Sequence, residues 1–201
     1  MAAEEWNRRY EGTELVWTAR PNRFLVEEVA ELTPGRAVDL ACGEGRHAVW
    51  LAELGWEVSG VDFSAAGIEK ARQLAQARGV EVEWTVSDLN DWEPGGRSYD
   101  LVLLFYLHLP EEERRGVVRQ AAAAVAPDGL FLLVGHDLRN LEYGYGGPKS
   151  DRVLYTAADV VADLEGSGLE IERAGPVERT VFAPEGERVA IDVLVRARRP
   201  A

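Results

Sequence analysis

Acids and glycines alternate in one short segment of the chain. Between Val38 and Gly45 the sequence reads Val-Asp-Leu-Ala-Cys-Gly-Glu-Gly, an apolar run that ends in an acid and two alternating glycines. A glycine at a strand-to-helix turn admits positive φ, and without a Cβ it lets a ligand approach the N–H groups that begin a helix. Asp62 ends a second apolar run, where its carboxylate is placed to accept hydrogen bonds from ribose hydroxyls. These residues predict a site for a ligand that contains a nucleoside.

The glycine spacing alone leaves two cofactors open. Gly43, Gly45 and Ala48 also stand at the spacing of the dinucleotide fingerprint, G-x-G-x-x-A, which would indicate an NAD(P)-dependent oxidoreductase. Asp39 argues against a dinucleotide, because a carboxylate so close to the turn repels a pyrophosphate. It would instead attract a ligand that carries a sulfonium or an amino group.

The same segment resembles the S-adenosylmethionine (SAM) site of class I methyltransferases in Asp39, Ala41, Gly43, Gly45 and Asp62. This resemblance covers residues 37–134 and implies SAM as the cofactor, methyl transfer as the activity and a Rossmann-like fold. A third reading, a regulatory module that binds SAM without turnover, stays open.

The resemblance implies cofactor contacts beyond the glycines. In that family an acid after the third strand reaches the adenine amino group, and here Asp88 and Leu89 follow the apolar run 80–86. The fourth strand, predicted over 98–104, ends beside the transferred methyl group, which places Phe105 in the active site. The full set of expected cofactor-binding residues is Asp39, Ala41, Gly43, Gly45, Asp62, Phe63, Asp88, Leu89 and Phe105.

The N-terminal segment resembles the leader of a narrower group, the small-molecule methyltransferases of the tellurite-resistance and thiopurine type. The similarity is in the kind and order of Trp6, Arg9, Tyr10, Trp17, Pro21 and Asn22. It implies a small-molecule acceptor and hints at a soft nucleophile such as a thiol. We expect a single domain over 1–201, in which 1–35 covers the cofactor or substrate and 36–201 forms the α/β core.

Two histidines are the candidate catalytic residues. His108 and His136 follow the runs predicted as strands four and five, and ligands of open α/β sheets bind at the carboxyl ends of the strands. Each is a candidate general base or substrate contact, and a hydrogen-bonded loop histidine is the alternative. No catalytic metal is expected, because the carboxylate of metal-dependent relatives is missing from the segment 104–106.

A segment rich in glycine and tyrosine, 140–150, is predicted to be an irregular loop and the best candidate for a lid. Aromatic side chains could enclose an apolar acceptor and the sulfonium, which favours π faces. The candidates for this substrate and lid role are Trp17, Tyr106, Tyr143 and Tyr145.

From Arg36 onward, short apolar runs alternate with helical patterns. The pattern predicts an α/β, Rossmann-like, doubly wound and mostly parallel seven-stranded sheet, with helices on both faces and an antiparallel C-terminal hairpin. The hairpin strands are expected over 169–174 and 189–198, joined by a long connection around 184–186. Expected helices are 22–32, 46–54 with Leu54 inward, 64–78 capped by Ser64 and ended by Gly79, 111–125 ended by 127–129, and 156–166.

The charge balance bears on the partners. The chain has 22 Lys and Arg against 35 Asp and Glu, a net charge of -13 that repels phosphate backbones at long range. No run reaches the roughly 18 to 20 apolar residues that a membrane span needs. We therefore expect a cytoplasmic protein without a nucleic-acid or membrane partner; its oligomeric state stays open.

These observations predict a SAM-dependent methyltransferase that transfers a methyl group to a small soluble acceptor by direct in-line displacement. Alignment of nucleophile, carbon and leaving sulfur can supply about 7 to 11 kcal/mol, so the lack of a catalytic triad does not argue against an enzyme. Whether sulfur, oxygen, nitrogen or carbon is methylated stays open.

Overall fold

The computed structural model describes residues 3–12, 14–16, 18–96 and 98–201, with side chains from Trp6 onward. The helices are α1 (Ala3–Tyr10), α2 (Arg23–Val29), α3 (Arg46–Glu53), α4 (Ala65–Arg78), α5 (Glu111–Ala123), α6 (Asn140–Tyr143) and α7 (Ala157–Asp163), with a 3-10 turn at Asp151–Val153. The strands are β1 (Arg36–Leu40), β2 (Glu57–Asp62), β3 (Glu83–Val86), β4 (Tyr99–Phe105), β5 (Val125–His136), β6 (Glu170–Ala183) and β7 (Gly186–Arg198).

The strands form one seven-stranded sheet in the order β3-β2-β1-β4-β5-β7-β6. β1 pairs in parallel with β2 and β2 with β3, whereas β7 runs antiparallel to both β5 and β6. The predicted Rossmann-like, mostly parallel sheet with an antiparallel C-terminal hairpin is thus confirmed.

The chain divides into two compact units, Met1–Leu103 and Leu104–Ala201. The first contains β1 to β3 and the second contains β5 to β7. The expectation of a single domain over 1–201 stays a prediction. In the part of the chain that the structure describes, no helix is long and apolar enough to cross a bilayer.

In the first unit, local sequence signals account for the ends of the helices. The Ser64 side chain accepts a hydrogen bond from the Gly67 N–H at the start of α4, and Gly79 ends that helix with φ of 68°, as predicted. Leu54 was expected to point inward but is exposed. This prediction was wrong because α3 ends at Glu53, one residue earlier.

In the second unit, strand pairing extends into a segment that the sequence predicted to be a turn. β5 begins at Val125, so the segment 127–129 belongs to a strand rather than to a helix stop. Backbone hydrogen bonds of Asp128 and Gly129 with Arg199 explain the difference, because they satisfy polar groups that a turn would leave to solvent.

The C-terminal hairpin is also longer than predicted. Ala183 pairs with Gly186, so only Pro184 and Glu185 connect the strands and the long connection is wrong. The pairing follows a continuous register from Arg173 to the turn, which the many charged side chains of β6 conceal in the sequence.

Candidate functional site

Asp62 connects the end of β2 to the glycine turn that follows β1. It is buried, and its Oδ2 accepts a hydrogen bond from the Gly43 N–H at 2.8 Å while its Oδ1 accepts one from the Ser64 N–H at 2.8 Å. Burial raises the pKa of Asp62, although both N–H groups work against this. A carboxylate offers about four lone-pair sites, so these bonds leave capacity for ribose hydroxyls.

The turn itself contains several residues in a strained backbone conformation. Three of its residues are left-handed, Ala41 with φ of 59°, Gly43 with 54° and Gly45 with 75°. This conformation costs an alanine about 1 to 2 kcal/mol, and such strain is concentrated at functional sites. Because Ala41 adopts it, the turn is held by its surroundings rather than by glycine content alone.

The two glycines of the turn make room for different neighbours. A Cβ at Gly45 would lie 2.6 Å from the ring of Trp84 and 2.7 Å from the Ala71 Cβ, so this position must be small for packing. A Cβ at Gly43 would instead lie 2.8 Å from the hydroxyl of Tyr10. Gly45 therefore has a structural requirement besides the predicted approach of a ligand.

Asp39 is a completely buried acid without a good counter-charge. Neither of its oxygens makes a well-formed hydrogen bond within the described residues, and the Ala48 N–H stabilises its charge only weakly. Burial raises the pKa of Asp39 to about 7, with Arg46 opposing and Asp62 adding to the effect. His47 Nδ1 lies 3.9 Å away, but burial holds the pKa of His47 far below its usual range, so it is neutral.

The site fits the charge pattern of SAM. A buried carboxyl whose oxygens make no well-formed hydrogen bond is stabilised in its charged form by a nearby cation, and SAM carries a sulfonium and an amino group. The N–H groups of Cys42, Gly43 and Gly45 already donate within the protein, whereas Asp62 has acceptor capacity left for a ribose. Asp39, Asp62 and the turn are thus the residues that would hold the cofactor.

The N-terminal segment lies directly on this turn. The Asn7 Oδ1 accepts a hydrogen bond from the Ser64 hydroxyl at 2.6 Å, and Tyr10 packs beside Gly43. The side chain of Glu44 accepts hydrogen bonds from the Val16 N–H at 2.9 Å and from Lys70 Nζ at 3.0 Å. Sequence reasoning anticipated a cover but missed Glu44 and Lys70, which attach it. Trp17 lies outside the described residues.

The other predicted cofactor residues differ in exposure. Asp88 is exposed, and its Oδ1 accepts two hydrogen bonds from Asn90, one from the N–H and one from the amide, both at 2.9 Å. Leu89 is buried after the same turn, Phe63 is half-buried after β2, and Phe105 is buried at the end of β4. Their roles in cofactor binding stay predictions.

A second polar cluster lies in the unit 104–201, around Asp192. This carboxylate is fully buried on β7 directly opposite His136, the last residue of β5, and His136 Nδ1 lies 3.1 Å from its Oδ1. Its Oδ2 accepts hydrogen bonds from the Tyr106 hydroxyl at 2.8 Å and from Arg179 Nε at 2.6 Å. Burial alone would raise the pKa of Asp192, but His136 and Arg179 outweigh it and hold the pKa below its usual value.

The structure distinguishes the two candidate histidines. The rings of His108 and His136 stack with centroids 5.4 Å apart, and His108 Nε2 accepts a long hydrogen bond from the His136 N–H at 3.4 Å. Burial, reinforced by His136, lowers the pKa of His108 to about 3. His108 is therefore neutral near pH 7 and a poor base, whereas His136 Nδ1 lies close to the Asp192 carboxylate without a well-formed hydrogen bond to it.

The predicted lid contains a short helix, so the expectation of a wholly irregular 140–150 segment was wrong. α6 forms because Asn140 is anchored: its Oδ1 accepts a hydrogen bond from the Ile191 N–H at 2.8 Å and its Nδ2 donates to the Gly146 carbonyl at 3.0 Å. Gly147, with φ of 72°, lies against the His136 ring. The loop after α6 therefore rests on the histidine.

The aromatic candidates for the substrate and lid role do not all lie near His136. Tyr106 contacts His136, with ring centroids 5.1 Å apart. Tyr143 is 69% exposed and Tyr145 is 39% exposed, so neither is enclosed in this structure. Among the residues with described positions, no group of three or more His, Cys, Asp or Glu side chains could hold a metal ion.

Asp192 and Arg179 were missed by sequence reasoning. A signal for Asp192 existed, because it is an acid inside the apolar run 189–195. Arg179 carries no such signal, because it stands among other charges in β6. Only the register of the hairpin brings its side chain to Asp192.

The chain thus combines a Rossmann-like α/β sheet with a glycine turn and two buried acids, Asp39 and Asp62, at the ends of neighbouring parallel strands. Residues 37–129 match the family model for the methyltransferase domain. The chain belongs to the class I SAM-dependent methyltransferases, with SAM as its cofactor. The oxidoreductase and the regulatory module without turnover are thereby set aside.

Two curated relatives show the range of this family. The chain is 28% identical to the ubiquinone biosynthesis O-methyltransferase of Methylobacterium sp. (strain 4-46), over 87% of this chain and 76% of the relative. It is 30% identical to the ribosomal RNA small subunit methyltransferase C of Alcanivorax borkumensis, over 55% of this chain but only 34% of the relative. The acceptors named for these relatives differ widely.

Solved structures support the fold. NodS, an N-methyltransferase from Bradyrhizobium japonicum in complex with S-adenosyl-L-homocysteine (SAH), matches with a TM-score of 0.75 and 15% identity, covering 99% of this chain and 98% of NodS. TehB from Haemophilus influenzae matches with a TM-score of 0.71 and 15% identity, covering 98% of this chain and 66% of TehB. At these identities both matches support the fold alone, and the resemblance to the tellurite-resistance group stays a prediction.

Proposed function

We propose that this methyltransferase acts on a small soluble acceptor by direct in-line displacement, and that Asp39, Asp62 and the glycine turn hold the donor. The observation that carries the donor site is the completely buried carboxyl of Asp39, whose oxygens make no well-formed hydrogen bond within the described residues and whose pKa burial raises to about 7. A fold would not retain such a charge for its own stability, since an unpaired buried ion is costly. A cationic donor offsets that cost.

Each residue has a defined task in this mechanism. SAM supplies a methyl group on a positively charged sulfur, whose departure requires no protein nucleophile. Asp39 compensates positive charge of the donor, and Asp62 accepts hydrogen bonds from its ribose while it holds the glycine turn through the Gly43 N–H. Much of the rate comes from alignment, because in-line geometry is worth about 7 to 11 kcal/mol.

A small acceptor is favoured over nucleic acid by charge. The net charge of -13 opposes approach of a polyanion, which a protein normally binds by neutralising phosphates with Lys and Arg. The relative that acts on ribosomal RNA aligns with only 55% of this chain, whereas the ubiquinone biosynthesis relative aligns with 87%. Both features support a small molecule.

Calorimetry with SAM and SAH tests the donor site. We expect binding by the wild type and loss of binding by a folded Asp62→Ala variant, because two hydrogen bonds to a charged acceptor contribute about 1.5 to 3 kcal/mol each. Asp91→Ala is the matched control, since Asp91 is an exposed acid outside the turn. Wild-type affinity in folded Asp62→Ala would refute the role of Asp62.

Mass spectrometry of a mixed acceptor panel tests the acceptor class. The panel contains phenols, thiols, amines and a ribosomal RNA fragment, each incubated with SAM and the full chain. We expect a methylated small molecule and unmodified RNA. Methylation of the RNA alone would contradict the proposal.

A further inference from the structure

Trp84 lies on β3, the edge strand of the sheet in the unit that contains the donor site. It is directly opposite Gly60 on β2, and Gly60 is directly opposite Asp39 on β1. The three residues thus form one row across neighbouring parallel strands, and side chains of such a row point to the same face of the sheet. The Trp84 indole and the Asp39 carboxyl therefore share a face, and only a glycine separates them.

The indole occupies the space that two glycines leave free. A Cβ at Gly60 would overlap the six-membered ring of Trp84, and a Cβ at Gly45 would lie 2.6 Å from Trp84 Cη2. Gly45 is the left-handed residue at which the glycine turn ends and α3 begins. The same ring therefore covers the strand position beside Asp39 and packs against the glycine turn.

Trp84 also faces solvent. The side chain is only half-buried, and it lines a groove of about 570 Å³ to which β2, α4 and the residues before β3 contribute. Asp39, two strands further into the sheet, is completely buried. The indole therefore lies between the solvent in the groove and the buried acid.

Burial of a large apolar side chain does not by itself explain this arrangement. β3 has only four residues, and most of them are exposed, so the strand offers little core in which to bury an indole. Glycine within a strand weakens the strand and often marks the close approach of another group. A smaller residue at position 84 and a larger one at position 60 would fill the same space. The pairing of Trp84 with Gly60 therefore indicates a requirement of the neighbouring donor site.

We propose that Trp84 is a positioning residue of the donor site: its indole holds the glycine turn at Gly45 and keeps water in the groove away from Asp39. This inference rests on the proposed function, in which Asp39 and the turn hold the donor. Removal of the indole lets the turn shift and lets water reach the acid. Asp39 then meets the donor cation in a wetter environment, where the attraction between opposite charges is weaker.

The groups around Asp39 determine how its titration responds. They are Arg46 and His47 on α3, Cys42 in the turn and Asp62 on β2. Burial lowers the pKa of His47 and raises that of the Cys42 thiol, so both are neutral near pH 7, whereas Arg46 is charged. Burial is the largest cause of the rise in the pKa of Asp39 to about 7. Water that enters through the groove should therefore lower this pKa toward the ordinary 3.8.

Carbon NMR of the Asp39 carboxyl tests this role without a donor, with the signal assigned from the spectrum of Asp39→Asn. We expect the wild-type carboxyl to titrate near pH 7 and that of Trp84→Leu at least one pH unit lower. Val82→Ala is the matched control, because Val82 lines the same groove but lies before β3, and it should leave the midpoint unchanged. Equal midpoints in the wild type and Trp84→Leu would overturn the proposal. So would a wild-type midpoint below about pH 5, because water would then already reach the acid.

Calorimetry with SAM tests the effect on the donor. We expect Trp84→Leu to weaken SAM binding by about 3- to 30-fold, whereas Val82→Ala keeps the wild-type affinity. Hydrogen exchange of the Gly45 N–H, which donates to the Cys42 carbonyl at 2.9 Å, should quicken in Trp84→Leu but not in Val82→Ala. Wild-type SAM affinity in folded Trp84→Leu would refute the proposal. If Trp84→Leu does not fold, Trp84→Phe replaces it and should show smaller changes in the same directions, because its shorter ring does not reach Gly45.

Gly60→Ala separates positioning from a general loss of packing. The backbone of Gly60 is not left-handed and accepts alanine, but the added methyl group lies where the indole is. In the wild type this substitution should displace the ring and weaken SAM binding, whereas in the Trp84→Leu background it should cause no further loss. Equal losses in both backgrounds would mean that residues 60 and 84 act independently, which contradicts the proposal.

SAM binding by the wild type distinguishes a failure of this inference from a failure of the proposed function. If the wild type and Trp84→Leu bind SAM equally well, only the role of Trp84 is refuted. A wild type that binds neither SAM nor SAH contradicts the proposed function itself.

Discussion

Two buried carboxylates, Asp39 and Asp192, occupy opposite electrostatic situations. Asp39 has no well-formed hydrogen bond, and burial raises its pKa to about 7. Asp192 has a phenol, a guanidinium and an imidazole around it, and the last two hold its pKa below the usual value. Under the proposed function Asp39 compensates the charge of a bound donor, whereas Asp192 already has Arg179 of the protein as its counter-charge. This contrast predicts that mutations at the two positions have opposite effects on stability.

The largest effect is expected for Asp192→Ala. Removing one partner of a buried ion pair leaves the other charge uncompensated and costs about 3 to 5 kcal/mol. Here Arg179 and the Tyr106 hydroxyl would lose their acceptor. Urea unfolding of this variant and of Glu165→Ala, a change at an exposed acid in the same unit, measures the loss. An unchanged midpoint for Asp192→Ala would contradict this prediction.

Asp39→Asn should instead stabilise the unliganded protein at about pH 8. Because the folded-state pKa of about 7 lies above the ordinary 3.8, the charged form is disfavoured by folding. The cost is absent below about pH 4, grows between about pH 4 and 7 and is fully present above that. Since one pKa unit corresponds to about 1.4 kcal/mol, the gain is on the order of 1 to 4 kcal/mol.

Thermal unfolding of wild type and Asp39→Asn across this pH range checks the prediction. The two curves should diverge as pH rises, while SAM affinity of the variant falls. A variant that is less stable than wild type at pH 8 would mean that Asp39 holds the glycine turn rather than awaiting a cation.

Donor binding should also release a proton through Asp39. A cationic ligand beside the carboxylate lowers its pKa, so affinity should rise with pH, by up to about tenfold per pH unit, and level off above about pH 7. Calorimetry at pH 6 in two buffers of different ionisation enthalpy counts the released protons. Asp39→Asn should release fewer; equal release in both proteins would assign the proton to another group.

The contrast between Asp39 and Asp192 also explains which of the two sites could be predicted from the sequence. The glycine turn, Asp39 and Asp62 lie within two neighbouring strand–turn units, so local periodicity and spacing predicted them. Ser64 and Gly79 were predictable for the same reason, since caps are local. The Asp192 cluster joins residues up to 86 positions apart, and its assembly depends on the register of β6 and β7. Because the outer strand β6 is mostly exposed and charged, it shows little apolar alternation from which that register could be predicted.

The smallest effect is expected for a mutation of Glu44, which attaches the N-terminal segment to the glycine turn. Glu44 accepts hydrogen bonds from the Val16 N–H and from Lys70, which also donates to the Glu14 carbonyl at 2.6 Å. Glu44→Gln keeps the shape but weakens charge-assisted bonds, by about 1 to 2 kcal/mol. Hydrogen exchange at the Val16 amide should therefore quicken several-fold, whereas exchange in β1 stays unchanged.

Glu69→Gln, an exposed change on the same helix as Lys70, is the matched control and should not alter that amide. If SAM slows exchange at Val16 in the wild type but not in Glu44→Gln, the N-terminal segment closes over the donor through Glu44. Equal slowing in both proteins would instead mean that the donor orders the N-terminal segment without the Glu44 side chain.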